Sequence, residues 1–295
     1  MFKKSLSLKK VVEQIIEYLI KWCGIISIIL VIFIFIFLFQ EGVSIFKNNS
    51  PLSFILGKQW YPLSKPPIFG ILPLILGSLM VTIGAAIIAL PIGVASAIFI
   101  AEVAKGRIKE VFKVGIEFLA AIPSVVIGFV GIIVVAPIIQ KTFNLPTGLT
   151  AFTGSLLLSL MAMPTIVSIA EDAITSVPNR YREAALALGA THWQTIWRVV
   201  LKSALPGITA ACMLGLGRVI GETMAVMMVT GNAAKIPHGL FEPVRTLTAT
   251  IAAEMGETIQ GSDHYFALFA IGLVLFVIAF IINFLADFFL HRERI

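Results

Sequence analysis

Arg182-Glu183-Ala184-Ala185-Leu186-Ala187-Leu188-Gly189-Ala190-Thr191 is a polar stretch set between two long apolar ones. Ser176-Val177-Pro178 just before it supplies a helix start, because proline is tolerated in a first turn whose N–H would be unpaired anyway. Tyr181, Ala184, Ala185 and Leu188 then recur at helical spacing as one apolar stripe, with Arg180, Arg182 and Glu183 off it. Gly189 suits the left-handed residue that ends a helix. Thr191-His192-Trp193-Gln194 matches a capping box, in which threonine and glutamine each satisfy a backbone N–H of the next helix. That helix carries Trp193, Ile196, Trp197, Val200 and Leu201 on one side, suits a membrane–water interface, and runs to Pro206. The pattern predicts a helix, a turn and a second helix, either meeting a soluble partner or lying on a membrane surface without one.

The surroundings are membrane. Of 295 residues 58% are apolar and only 13% charged, whereas soluble domains sit nearer half and a quarter. A net charge of +6 would suit nucleic acid, but the basic residues are dispersed among loops and follow topology. Cys23 and Cys212 both fall in apolar runs and offer neither a disulfide framework nor metal spacing.

Six apolar runs, at about residues 22–40, 70–101, 113–139, 149–171, 206–230 and 265–288, are each long enough to cross roughly 30 Å of hydrocarbon. The expected fold is all-α and polytopic. Residues 1–21 read as an amphipathic helix on the cytoplasmic face, with Val11, Val12, Ile15, Ile16 and Leu19 at helical spacing. The run after it is too long for a signal-peptide core. Residues 22–69 hold the first span and an outer loop, 70–290 the main transmembrane domain with a cytoplasmic loop at 172–205, and 291–295 a tail. Lysines and arginines crowd the N-terminus, the 102–113 and 172–205 loops and the tail. The other side has only Lys47, Lys58, Lys65, Lys141, Lys235 and Arg245, so both termini are expected in the cytoplasm.

The outer loops, 41–69 and 231–264, read either as solvated connectors or as short helices forming a receiving surface. Pro73, Pro91, Pro123 and Pro164 lie within the runs, and each is expected to remove a backbone hydrogen bond. In Ala120-Ala121-Ile122-Pro123-Ser124 a break is followed by a hydroxyl, which is either a pore-lining point or a packing kink.

The main chemical signal inside the bilayer is Gly217-Arg218-Val219-Ile220-Gly221-Glu222-Thr223. Arg218 is expected near the midplane, where an arginine costs about 2.5–3.5 kcal/mol on insertion scales and must face protein or water. Glu222, one helical turn on, is expected to share its face and neutralise it. A planar guanidinium suits an oxyanion such as phosphate, with the carboxylate keeping the site weak enough to release it. The pair reads equally as a buried structural ion pair. No phosphate-loop motif occurs, and His192, His238, His264 and His291 lack metal spacing.

Glu183-Ala184-Ala185, then Gly189, then a basic amphipathic helix to Leu205-Pro206-Gly207 resembles the EAA loop of ABC importer permeases. One departure is Lys202, where many members have proline. Gly217 to Val226, followed by Gly231-Asn232, with Ala121 to Val126, resembles phosphate-specific transport permeases of the PstC type. Sulfate and molybdate permeases usually place an aromatic residue at Thr223, and PstA-type permeases read Gly-Glu-Thr-Ala-Pro where this chain has Met224-Ala225.

The resemblance implies a type I ABC importer permease in the plasma membrane, itself no enzyme. It implies coupling to an ATPase through Arg182, Glu183, Ala184, Ala185 and Gly189, and a substrate path past Arg218, Glu222, Thr223, Pro123 and Ser124. It also implies a PstA-type second permease, a PstB-type ATPase dimer carrying ATP and Mg, and a PstS-type external phosphate-binding protein. A sulfate or molybdate permease is the alternative within the family. An ion-coupled secondary transporter would explain the intramembrane charges but not the EAA loop. An intramembrane enzyme would need a nucleophile or metal constellation, which the sequence does not display.

Overall fold

The computed structural model describes the backbone of residues 2–292 and the side chains of residues 13–284. The N-terminal stripe at Val11 and Val12 and the tail at Arg294 therefore lie outside the described side chains. In chain order come α1 (Phe2–Val43), α2 (Pro51–Leu56), β1 (Trp60–Tyr61), β2 (Ile68–Phe69), α3 (Leu72–Ile98) and α4 (Arg107–Ala121). Next are α5 (Ser124–Val130), α6 (Ala136–Thr142), α7 (Ala151–Thr175), α8 (Asn179–Ala187) and α9 (His192–Thr195). The chain ends with α10 (Leu201–Gly221), α11 (Met224–Val229), α12 (Leu247–Glu254) and α13 (Asp263–Arg292). Single π-helical segments at Phe99–Val103, Gly131–Val135 and Ile196–Val200 extend α3, join α5 to α6, and join α9 to α10.

Six segments of the described residues are long and apolar enough to cross a membrane: Glu13–Lys47, Leu72–Val103, Ser124–Thr142, Ala151–Thr175, His192–Gly221 and Asp263–Phe284. They are not equivalent. The most apolar stretch of α7 is 61% buried and that of the first span 0%, so α7 is the axis of the bundle and α1 its outermost element. Between lipid-immersed helices the gain comes from close van der Waals packing, which small residues permit. A Cβ added at Gly84 of α3 would collide with Ser155 of α7, and one at Gly215 of α10 with Ile166 of α7. The apolar core runs in three tiers. Phe54, Trp60, Ile71 and Leu268 pack at the hairpin end. Val81, Leu158, Ile166 and Val226 fill the middle, and Ile100, Ile174, Val200 and Ile208 the opposite end.

Several expectations from sequence require correction. Within the segment expected at 1–21, the described residues 2–21 are not a helix of their own, because α1 is continuous into the first span. The run at 113–139 is two elements: α4, with Lys113 and Glu117, ends at Ala121, and the third span begins only at Ser124. The break is local chemistry, since a residue before proline is pushed out of the helical region. Ile122 is accordingly extended, at φ −70° and ψ 124°. The fifth span neither starts at Pro206 nor reaches 230. It runs unbroken from His192, takes Pro206 inside α10, and stops at Gly221. Pro91 and Pro164 also sit inside helices, but Pro73 lies in the first turn of α3 and Pro123 at the cap of α5, where no helical hydrogen bond is lost.

The outer loops are structured, not solvated connectors. β1 pairs antiparallel with β2, and Trp60 Nε1 donates to both oxygens of Glu254 on α12 at 3.1 and 3.2 Å. That contact ties the two loops together, and Arg245 and His264 of the second loop converge on the same carboxylate at 2.6 and 2.8 Å.

Candidate functional site

Two regions carry the polar residues singled out in the sequence. At the first, α8 follows an extended Pro178 and closes through Gly189, whose φ of +83° lies in the left-handed region that an L side chain rarely adopts. The capping box at the next helix is present. Gln194 N donates to Thr191 Oγ1 at 3.3 Å, and Thr191 N to Gln194 Oε1 at 2.8 Å. The apolar stripe of α8 is split. Ala185 is buried, but Tyr181 is 43% and Leu188 89% exposed, and Glu183 and Ala184 are exposed beside them. The second helix is split too, with Ile196 and Val200 buried and Trp193 and Trp197 outward.

Arg182 does not share the outward face of Glu183. Its Nε donates to Glu102 Oε1 at 3.2 Å and its Nη2 to the same oxygen, while Nη1 donates to Val177 O and Nη2 to Ile174 O at 3.1 Å. Glu102 lies in the π-helical end of α3, and Ile174 in the last turn of α7. A cation beside the exposed carbonyls of a helix C-terminus is favourable on its own account. A second cluster stands nearby. Glu171 of α7 is 3% exposed and receives Lys109 Nζ at 3.2 Å and Lys113 Nζ at 2.8 Å from α4. The hydrogen bond to Glu171 raises the Lys113 ammonium above the usual lysine range, against a smaller opposing loss of solvation.

The second region is the end of α10. Arg218 lies in its last turn, not at the middle of a span, and is exposed in the isolated chain. The expected Arg218–Glu222 pair is not made. A helical turn between them would be required, but the helix stops at Gly221 and Glu222 is extended, at ψ 130°. Thr248 Oγ1 donates to the backbone carbonyl of Glu222 at 3.1 Å, and the Glu222 side chain accepts from Ala225 N of α11 at 3.3 Å. Arg218 Nη1 instead donates to Thr165 Oγ1 on α7 at 3.2 Å. Thr223, the cap of α11, donates its hydroxyl to Gly221 O at 3.2 Å.

Glu222 lines a small cavity with Ser78, Thr82, Thr246 and Thr248. Pro123 is exposed and Ser124 half-buried at the start of α5, and their neighbour Ile122 packs in the same apolar cluster as Val219. Thr165, Thr248 and Glu102 were not singled out in the sequence. The only signal for Thr165 is its place beside Pro164 within an apolar run. Among the described residues no group of three or more metal-ligating side chains converges.

Residues 89–295 match the family model for "Binding-protein-dependent transport system inner membrane component". The chain is 40% identical over 275 residues to a "Probable ABC transporter permease protein YqgH" of Bacillus subtilis (strain 168), covering 92% of this chain and 89% of the relative. It is 36% identical over 259 residues to the "Phosphate transport system permease protein PstC" of Mesorhizobium japonicum, covering 81% of this chain and 78% of that protein. Among solved structures, one chain of a bacterial alginate ABC transporter, crystallised with its alginate-bound periplasmic protein, superposes with a TM-score of 0.64. That match covers 92% of this chain and 94% of the other at 17% identity, so it speaks to fold alone.

Proposed function

Because the chain belongs to the family of binding-protein-dependent transport system inner membrane components, we propose that it is the multi-pass permease subunit of an ATP-driven phosphate importer, of PstC type. The observation that carries the coupling half of this reading is α8. It is a short helix between the fourth and fifth spans, with Glu183 and Ala184 exposed on it and a C-capping leucine, Leu188, that is 89% exposed. An apolar side chain so displayed suits a groove on a soluble subunit. That subunit is the ATPase, of PstB type, which holds ATP and Mg. Ala185 anchors the helix from within, and Gly189 turns the chain back toward the membrane. The substrate half rests on the relatives named for phosphate transport, several of them 32–36% identical.

The lysine and arginine bias supports a cytoplasmic position for both termini and α8. The Trp60–Glu254–Arg245–His264 cluster then faces outward, where a PstS-type binding protein delivers phosphate. A PstA-type permease completes the pore against the faces that α5 and α10 leave exposed. Arg218 stands in the path between the two permeases. A permanently charged planar fork matches a tetrahedral oxyanion, and its exposure to water keeps the attraction modest, so the ion is both admitted and released. Glu222, Thr223 and Ser124 line the same passage, and Pro123 sets the start of α5 there. Closure of the ATPases moves α8, rocks the spans and opens the path outward; the reset releases phosphate inward.

The test is ATP-dependent uptake of labelled phosphate in cells lacking this chain and complemented with it, with excess sulfate or molybdate as competitor. Restored uptake that neither competitor removes is the expected result. Full competition by sulfate or molybdate would leave the importer architecture standing and overturn the substrate.

A further inference from the structure

Arg182 stands next to the residues that face the ATPase, yet its guanidinium points the other way. It grips Glu102 through two nitrogens and Ile174 O and Val177 O through its two terminal ones. The arginine side chain is only 19% exposed, and the glutamate side chain 8%. These contacts join α8 to the end of the second span, 80 residues earlier in the sequence, and tie both to the C-terminus of the central helix α7 just before α8. A single-point charge could not do this, because the planar guanidinium alone offers donors along several fixed directions at once.

We infer that Arg182 with Glu102 is a strut that converts displacement of α8 into displacement of α3 and α7, and is not a contact with the ATPase. The inference rests on the coupling reading of α8. A short helix bounded by an extended Pro178 and a glycine turn has a non-helical joint at each end. Pushed by a partner, it would pivot on those joints unless something rigid crossed to the spans. Arg182 crosses there. It acts on α7, which also carries Thr165, the hydrogen-bond partner of Arg218, so movement of α7 reaches the transport path directly. Both residues are therefore positioning residues whose loss should separate ATP hydrolysis from transport.

The complete transporter is reconstituted in vesicles with wild type, Glu102→Gln, Arg182→Gln or both. Labelled inorganic phosphate taken up per ATP hydrolysed is measured, together with the ATPase subunit retained. A strut predicts that the ATPase remains bound while uptake per ATP falls by about fivefold or more, a modest coupling energy. The double variant should fall no further than the worse single, because both changes cut one link. Arg182→Lys, which keeps the charge and loses the fork, should lower the ratio as well.

An unchanged ratio in Glu102→Gln, or uptake and hydrolysis falling in parallel, would overturn the strut, as would two single effects that multiply in the double. If Arg182→Gln does not assemble, Glu102→Gln and Arg182→Lys decide alone. Failure of the underlying reading has its own sign: the ATPase would then stay bound to a Glu183→Lys transporter, whatever the strut variants do.

Discussion

Two arginines, Arg182 and Arg218, both sit beside α7, and the structure treats them in opposite ways. The first is held by a carboxylate and two helix-end carbonyls; the second makes one hydrogen bond, to a neutral hydroxyl. A charge whose donors are all taken transmits position and has nothing left for a ligand. A charge with donors to spare is open to a ligand. Under the proposed function, the contrast gives force to the C-terminal end of α7 and ligand to its middle, at Thr165.

The largest effect should come from the freer arginine. Arg218→Ala is expected to lower phosphate uptake by on the order of tenfold to a hundredfold, the loss of charged hydrogen bonds worth about 1.5–3 kcal/mol. Uptake at the wild-type level in transport assays would erase the distinction between the two sites. Next comes the exposed face of α8, where Glu183→Lys should weaken capture of the ATPase subunit by about fivefold to tenfold, as reversal of an interface charge does. Undiminished capture in a detergent pull-down would detach α8 from coupling.

A finer probe is Thr165→Val, which keeps shape and removes the one hydrogen bond that aims Arg218. The apparent affinity for phosphate should shift by about fivefold, near 1 kcal/mol, and Thr165→Ser should restore it. If Thr165→Ser behaves like Thr165→Val, packing at α7 and not aim is what matters. The smallest effect is assigned to Thr191→Ala, which removes one arm of the capping box. Helix stability should drop by about 1 kcal/mol, read as a lower melting temperature in detergent, with uptake per ATP unmoved.

Local chemistry was legible in the sequence wherever its partners are neighbours in the chain. The capping box at Thr191 and Gln194 and the left-handed Gly189 are in place. Six apolar runs gave six spans because bilayer thickness sets helix length whatever the tertiary contacts. Two of the misreadings come from taking an apolar run as one unbroken helix. Glu222 pairs with Arg218 only if α10 continues, and α10 stops where Thr248 takes up the Glu222 carbonyl from a distant loop. Helix α4 was hidden for the converse reason: its apolar face merges with that of α5, and only Pro123 separates them. Arg182 was read by its neighbour Glu183, but its orientation is set by Glu102 on another span, which no spacing rule reaches.

The measurement that bears most directly on the account is phosphate uptake and ATP hydrolysis recorded in the same vesicles for the complete transporter carrying Arg218→Ala. The account predicts that hydrolysis persists while uptake collapses, because α8 and its strut are untouched. Uptake that persists alongside hydrolysis would contradict the placement of Arg218 in the path of the ion.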